Sequence, residues 1–147
     1  MDDPVPRAFR FWVIGAGVFN LLSSSGLAIP AAYAQQYRML NSINRGLGFG
    51  GDLLLPPREG VNMLFVNTAG LMLFSVGVML IYAARDLKNR GGIPCVNALT
   101  RIIWAGLIVY YVLTEHVARI LLTFAVTDLI FAAVLLYYTA HRRAQVS

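Results

Sequence analysis

A carboxylate at the centre of a long apolar run constrains this chain more than any other feature of its sequence. Residues 117–140 are almost entirely apolar, and Asp128 is the midpoint of this run. A second apolar run, residues 98–114, lies just before it and carries Arg101 near its start. A charge at the centre of a bilayer costs at least about 2.5–3.5 kcal/mol, so membrane proteins bury such residues inside a bundle and give them partners. We therefore expect Asp128 to face the interior of a helix bundle, near Arg101.

The composition of the chain excludes an ordinary soluble domain. Apolar residues make up 58% of its 147 residues and charged residues 13%, whereas soluble domains average roughly 45–50% and about 25%. Basic residues outnumber acidic ones, 12 to 7, but they flank the apolar runs instead of forming one dense face, so no nucleic-acid partner is predicted. Cys95 is the single cysteine, which excludes an internal disulfide and a CxxC metal site.

The apolar runs predict an all-α fold, a bundle of four transmembrane helices that makes residues 1–147 one integral membrane domain. The predicted spans are residues 10–29, 61–84, 98–114 and 117–140, lengths close to the ~20 residues that cross a bilayer core. The first span has an alternative interpretation as a secretory signal that is cleaved after Ala34, which would remove residues 1–34. Because its apolar run exceeds the ~7–15 residues of a signal core, we favour a span.

Residues 30–60 are predicted to form an extracytoplasmic segment between the first two spans. Four aromatic or apolar residues recur there at helical spacing: Tyr33, Tyr37, Leu40 and Leu47. Their spacing predicts a short amphipathic helix that lies at the membrane interface. The glycine-rich stretch 46–52 is predicted to be a flexible turn. It is not interpreted as a phosphate-binding loop, because no strand precedes it and no Lys-Ser/Thr pair closes it.

The distribution of basic residues predicts the orientation of the spans. Eight belong to the N-terminal segment, the connection 85–101 and the C-terminus: Arg7, Arg10, Arg85, Lys88, Arg90, Arg101, Arg142 and Arg143. The opposite side has four: Arg38, Arg45, Arg58 and Arg119. Since cytoplasmic connections carry the excess of Lys and Arg, both termini are predicted to lie in the cytoplasm, with the protein in a bacterial inner membrane.

Several polar residues are predicted to lie at the same depth in the bilayer, judged from their positions along the spans. Folding the last two spans about residues 115–116 places Asp128 about half a helical turn from Arg101, and Asn20 lies near the middle of the first span. We therefore predict a ligand-binding polar layer formed by Asn20, Arg101 and Asp128. Thr127 could add a hydroxyl to this layer, and Asn67 would lie nearer the outer side.

Three interpretations of this polar layer stay open. An ionisable residue inside a membrane is by default a functional hypothesis, here a site that binds a ligand or handles a proton. Alternatively, Arg101 and Asp128 form an ion pair whose role is to fix the register of the helices. In the third interpretation, Arg101 extends to the cytoplasmic headgroups and leaves a protonated Asp128 hydrogen-bonded to Asn20.

A second polar cluster lies at the outer tip between the last two spans and contains Glu115, His116 and Arg119. Glu115 and Arg119 are spaced to pair on one helical face. We interpret this cluster as a solvated cap, because one histidine and one carboxylate are a weak signal for a metal, and no metal is predicted. The two histidines, His116 and His141, lie at opposite ends of the last span. This placement argues against a bis-histidine haem within one chain, and no cofactor is predicted.

From Asn67 onward, a set of residues follows a recognisable layout: Gly70 and Gly77, Ala84 with Arg85, Arg101, and Thr127, Asp128 and Leu129 in succession. This layout resembles the DoxX-like group of small four-helix bacterial membrane proteins. The resemblance implies a four-helix membrane fold, and some members of that group are subunits of membrane oxidoreductases that work with quinones. The long segment 31–60 departs from their pattern. In plan, the chain is more distantly similar to the EXPERA group, whose central cavity holds sterol-like ligands beside acidic residues.

Three classes of function follow from these observations. The first is binding of a lipid-, quinone- or sterol-like ligand, a small apolar molecule whose polar end meets Asn20, Arg101 and Asp128. The second is an accessory or assembly subunit of a larger, redox-linked membrane complex, with small-residue helix faces binding a partner membrane protein. The third is a transporter or channel formed by a homo-oligomer, although the second and third spans lack a continuous polar stripe. We favour ligand binding, and no G-x-S-x-G or Cys/His arrangement indicates an enzyme.

Overall fold

The computed structural model describes residues 5–146, with side chains described as far as His141. Within this range the chain forms six helices: α1 (Arg7–Ala28), α2 (Tyr33–Gly46), α3 (Gly60–Ala83), α4 (Leu87–Arg90), α5 (Gly92–Thr114) and α6 (Leu121–Val146). The described residues contain one isolated β-bridge and no strand, which confirms the predicted all-α class. The side chains of Arg142 and Arg143, which entered the topology prediction, lie outside the described residues.

Four helices are long and apolar enough to cross a membrane: α1, α3, α5 and the Leu121–His141 part of α6. They match the four predicted spans with shifted ends. α5 begins at Gly92 instead of residue 98, because Pro94 lies in the first turn, where backbone N–H groups have no partner within the helix. α6 begins at Leu121 instead of residue 117. Residues 115–120 form a non-helical link between α5 and α6, which we call the outer connector.

α1 and α3 pack closely because glycines let their backbones approach. A Cβ atom added to Gly77 would lie 2.8 Å from the carbonyl oxygen of Gly17, and one added to Gly17 would lie 2.9 Å from the carbonyl oxygen of Gly77. Gly70 likewise faces the backbone of Leu27 and Ala28. Small residues at such crossings supply the close packing that holds helices together in lipid. Gly70 and Gly77 therefore serve helix packing within this chain.

α5 and α6 form the second closely packed pair. Five of the seven buried positions of α5 follow an alternating spacing of three and four residues: Ala98, Arg101, Ala105, Ile108 and Val112. This is the narrow seam of a coiled coil. The two pairs join through a core to which all four long helices contribute: Phe9, Val13 and Ala16, then Leu80 and Ala84, then Ala98, and finally Ala132 and Leu135. The polar residue Arg101 thus occupies a seam position next to this shared core.

α2 confirms the predicted short helix, with a different inner face. Tyr33 and Asn44 are buried, whereas Leu47, expected on the same face, is 59% exposed. The Asn41 amide donates to the carbonyl of Leu54 at 2.9 Å and accepts from the backbone N–H of the same residue at 2.9 Å. Partial burial raises the pKa of the Tyr37 hydroxyl, and the neighbouring Tyr33 raises it further. Polar side chains thus help to dock α2 onto the segment that follows it.

The glycine-rich stretch after α2 is held in place, which corrects its interpretation as a flexible turn. The N–H of Asp52 donates to the carbonyl of His116 at 2.6 Å, and the N–H of Arg119 donates to that of Gly50 at 3.2 Å. Gly50 and Gly51 have φ angles of 72° and 83°, which favour glycine. A Cβ atom on Gly51 would also lie 2.7 Å from the carbonyl oxygen of Val117. The glycines therefore allow the stretch to bind the outer connector.

Candidate functional site

Arg101 is the centre of the polar layer, and its side chain is buried, at 4% exposure. One Nη donates to Asp128 in an ion pair. The other donates to Asn20 Oδ1 at 2.6 Å and to the carbonyl of Ala16 at 3.2 Å. Nε donates to Asn97 Oδ1 at 2.8 Å. The structure therefore brings Asn20, Arg101 and Asp128 together, with Arg101 turned to Asp128 rather than away from it.

Local helix geometry positions these groups. Asn97 and Arg101 are four residues apart in α5, and so are Ala16 and Asn20 in α1, which places each pair on one helix face. The carbonyl of Asn20 also accepts a hydrogen bond from the buried hydroxyl of Ser24 at 2.6 Å. Since α1 belongs to one helix pair and α5 and α6 to the other, Arg101 links the two pairs.

Aromatic rings flank the guanidinium on the α1–α6 side. The Arg101 Cζ atom lies 4.9 Å from the ring centroid of Phe131 and 5.8 Å from that of Phe19, distances at which a cation is attracted to the ring face. The Phe19 ring in turn lies 5.6 Å from Phe131 and 6.3 Å from Phe124, and Trp12 lies 5.9 Å from Phe131. These four half-buried rings, Trp12, Phe19, Phe124 and Phe131, form a continuous aromatic row.

The polar layer retains unused hydrogen-bonding capacity. An arginine has only donors, so Asn20 and Asn97 turn their oxygens to it and their Nδ2 groups away. Neither Nδ2 group nor the second carboxylate oxygen of Asp128 makes a hydrogen bond within residues 5–146. Among the described residues, Gln36 Oε1 is the sole side-chain polar atom that is both fully buried and without a hydrogen bond. The three unpaired atoms of the polar layer are therefore not fully buried. The layer thus presents two amide NH2 groups and one carboxylate oxygen to its surroundings.

Two predicted members lie outside the polar layer. The Asn67 amide donates to the carbonyl of Leu27 at 2.8 Å and so joins α3 to the end of α1. The Thr127 hydroxyl donates to the carbonyl of Thr123 at 2.8 Å, within its own helix. Asn97 was not predicted, because it precedes the predicted start of its span. Its four-residue spacing from Arg101 was the signal that could have identified it.

The outer cluster is exposed, and its predicted ion pair is wrong. Glu115 and Arg119 lie in the outer connector instead of on a helix, and no ion pair joins them within the described part of the chain. His116 has a φ of 53°, and its carbonyl accepts the hydrogen bond from Asp52. No group of three His, Cys, Asp or Glu side chains that could hold a metal occurs among the described residues.

Asn44, another residue that was not predicted, connects α2 to the start of α6. It is buried at 2% exposure. Its amide donates to the carbonyl of Gly50 at 3.1 Å and accepts from the N–H of Ile120 at 2.9 Å. This contact spans 76 residues of sequence, so no local pattern signals it. Asn44 fixes the end of the helix that carries Asp128.

Comparisons with protein-family models, with curated proteins and with solved structures give no significant match to this chain. The resemblance to the DoxX-like group therefore stays a prediction.

Proposed function

We propose that this protein binds a lipid-like molecule with a polar end, such as a quinone or a sterol, at the polar layer. The observation that carries the proposal is that Asp128, Asn20 and Asn97, all bonded to Arg101, each keep a free polar group: one carboxylate oxygen and two amide groups. In hydrocarbon, each unsatisfied polar group costs several kcal/mol. A bound molecule with a hydroxyl or carbonyl group would satisfy them.

The chemistry of the three free groups favours a small uncharged head. A carbonyl oxygen can accept from either amide, and a hydroxyl can also donate to Asp128. Arg101 already neutralises the charge of Asp128 within the ion pair, so the ligand need not bring a charge of its own. The aromatic row beside the guanidinium supplies ring faces and edges, against which a flat ring packs favourably.

The ligand would reach this site from the side, through the bilayer. Two surface cavities, of about 230 and 390 Å³, are lined by residues at the ends of the helices, and neither is lined by Asp128. In the proposed mode, a molecule bound at the polar layer keeps its apolar part among the lipids and inserts its head alone. This mode suits a lipid-like ligand and disfavours a water-soluble one.

The same proposal includes the placement of the chain in a membrane. We infer a single four-helix bundle in a bacterial inner membrane, with both termini in the cytoplasm and α2 at the outer interface. α2 supports this placement because, besides its buried inner face, it has one exposed apolar side and one exposed basic side. Met39 and Ile43 are exposed on one side and Arg38 and Arg45 on another, as expected for a helix between lipid and water.

Analysis of co-purifying lipids tests the proposed function. Full-length protein, Asp128→Asn and Thr127→Val would be extracted from native membranes in mild detergent, and bound apolar molecules quantified by mass spectrometry. We expect wild type to retain a ring-headed apolar molecule. Asp128→Asn should retain roughly tenfold to a hundredfold less, since a hydrogen bond to a charged group contributes about 1.5–3 kcal/mol.

Thr127→Val is the matched control, because Thr127 is adjacent in sequence but its hydroxyl bonds only within α6. It should retain the ligand as wild type does. Asn97→Ala removes one free donor without removing the ion pair, so it tests the site should Asp128→Asn fold poorly. Equal amounts of every apolar molecule in wild type, Asp128→Asn and Asn97→Ala would refute the proposal.

A further inference from the structure

A concave basic surface lies at the opposite end of the molecule from α2. A cavity of about 230 Å³ lies where α1 begins and α3 passes into α4. We call it the basic cavity. Its charged lining residues are Arg7, Arg10, Arg85, Lys88 and Asp86. Three arginines against one carboxylate leave it positive, which favours an anionic occupant.

The arginines of the basic cavity are available to bind. Arg7, Arg10 and Arg85 are all exposed, and none of them has an ion-pair partner within residues 5–146. The single carboxylate is directed elsewhere, because Asp86 accepts from the Asn89 side chain at 2.9 Å and from the Asn89 backbone N–H at 3.3 Å. These hydrogen bonds lower the pKa of Asp86, so it stays charged and fixed at the start of α4.

The basic cavity lies at the end of two candidate spans, where hydrocarbon would give way to water. α1 begins at Arg7 and α3 ends at Ala83. Phe11 and Tyr82 are 72% and 50% exposed beside this boundary, and Arg90 stacks over the Tyr82 ring at 3.8 Å. Aromatic residues at such a level are typical of a membrane interface. One turn further in, Ile14 and Val78 are also exposed and would face lipid chains.

We propose that the basic cavity binds the phosphate group of an anionic phospholipid, with Arg7, Arg10 and Arg85 as its ligands. Guanidinium groups bind phosphate oxygens through paired hydrogen bonds, and basic pockets between transmembrane helices on the cytoplasmic side bind acidic headgroups. A free phosphate ion has the same binding chemistry. The exposed apolar residues below the cavity favour the lipid, since its acyl chains would lie along α1 and α3.

Titration with short-chain lipids tests this assignment. Purified full-length protein in neutral detergent would be titrated with phosphatidylglycerol and with phosphatidylcholine, and binding measured by native mass spectrometry. We expect phosphatidylglycerol to bind at least tenfold more tightly, with an affinity that falls as salt rises. The single variants Arg10→Gln and Arg85→Gln should each weaken binding about fivefold, and the double variant should weaken it further.

Arg38→Gln with Arg45→Gln is the matched control, because it removes the same charge from exposed positions on α2. It should leave the binding of phosphatidylglycerol unchanged. Should the glutamine variants fold poorly, Arg10→Lys with Arg85→Lys keeps the charge and removes the paired hydrogen bonds, and it should still weaken binding severalfold. No change in that lysine variant would overturn the proposal.

Three further outcomes would also overturn it. Equal affinity for the two lipids would show that the headgroup charge is not recognised. Displacement of the lipid by an equal concentration of inorganic phosphate would assign the cavity to the free ion. Binding that appears only after Asp2→Asn and Asp3→Asn would assign it to the acidic N-terminus of the chain.

Discussion

Arg101 makes four hydrogen bonds, and three of their acceptors belong to residues of other helices. Such a cation is stable in an apolar interior because its partners replace water. Four of the five guanidinium N–H groups are used in these hydrogen bonds, so the ion pair by itself leaves little chemistry to perform. The proposed function rests instead on the free groups of Asp128, Asn20 and Asn97.

At this scale, the stability of the ion pair can be measured by a double-mutant cycle. Asp128→Leu and Arg101→Met each leave a buried charge without its partner, so each should lower the free energy of unfolding by roughly 3–5 kcal/mol. The double variant should lose clearly less than the sum of the two, because no unpaired charge remains. Unfolding in detergent, followed by loss of helical signal, provides the measurement. Additive losses would show that the two side chains do not interact.

At the scale of elements, the helix pairs rest on different packing. α1 and α3 meet through glycines, whereas α5 and α6 meet through a seam with three-four spacing. Gly77→Val would drive a side chain into the backbone of α1, and such overpacking costs about 1–3 kcal/mol or more. We expect Gly77→Val to lower the melting temperature by several degrees.

Gly106→Ala is the control for that substitution. Gly106 also lies within a long helix, but a Cβ atom there meets no atom within 4 Å. Because alanine favours a helix over glycine by about 0.8–1 kcal/mol, the melting temperature should stay the same or rise. Equal destabilisation by the two substitutions would show that α1 and α3 do not cross at Gly77.

Sequence patterns predict the helices and the polar layer better than the links between them. Apolar run length is a local property, so the four long helices could be predicted, and the depth of Asn20, Arg101 and Asp128 placed them at one level. The start of α5 was predicted six residues too late because Pro94 was taken as part of a turn. In the structure Pro94 lies in the first turn of the helix, where proline is tolerated. The outer connector could not be predicted, because Asn44 and Gly50 fix it from far along the chain.

For the whole molecule, the proposed orientation predicts two opposite labelling results. Glu59→Cys, at the start of α3, should react with an impermeant thiol reagent added outside intact cells, and Ala144→Cys should react only after lysis. The native Cys95 would be replaced by Ser in both variants, since it is partly exposed. These results are expected because the excess of basic residues beside the termini predicts that both termini lie in the cytoplasm. Labelling of both positions from one side would contradict an arrangement of four spans with both termini inside.

Across the molecule, polar groups lie at three levels: α2 with its docked loop at one end, the polar layer within, and the basic cavity at the other end. The two proposed sites belong to the last two levels and use different residues, so each can fail without the other. Their shared requirement is that the four long helices lie in a lipid environment. The central claim is that the free groups of the polar layer bind the head of a lipid-like molecule there.

An experimental density map of the protein, purified from native membranes and crystallised in a lipidic mesophase, tests this claim most directly. We predict non-protein density for a ring or hydroxyl-bearing head within hydrogen-bonding distance of the free oxygen of Asp128, beside Asn20 or Asn97. Its apolar part should continue outward into the lipid. Density for a single water molecule or for a protein side chain at that oxygen, with no ligand head present, would contradict the proposed function.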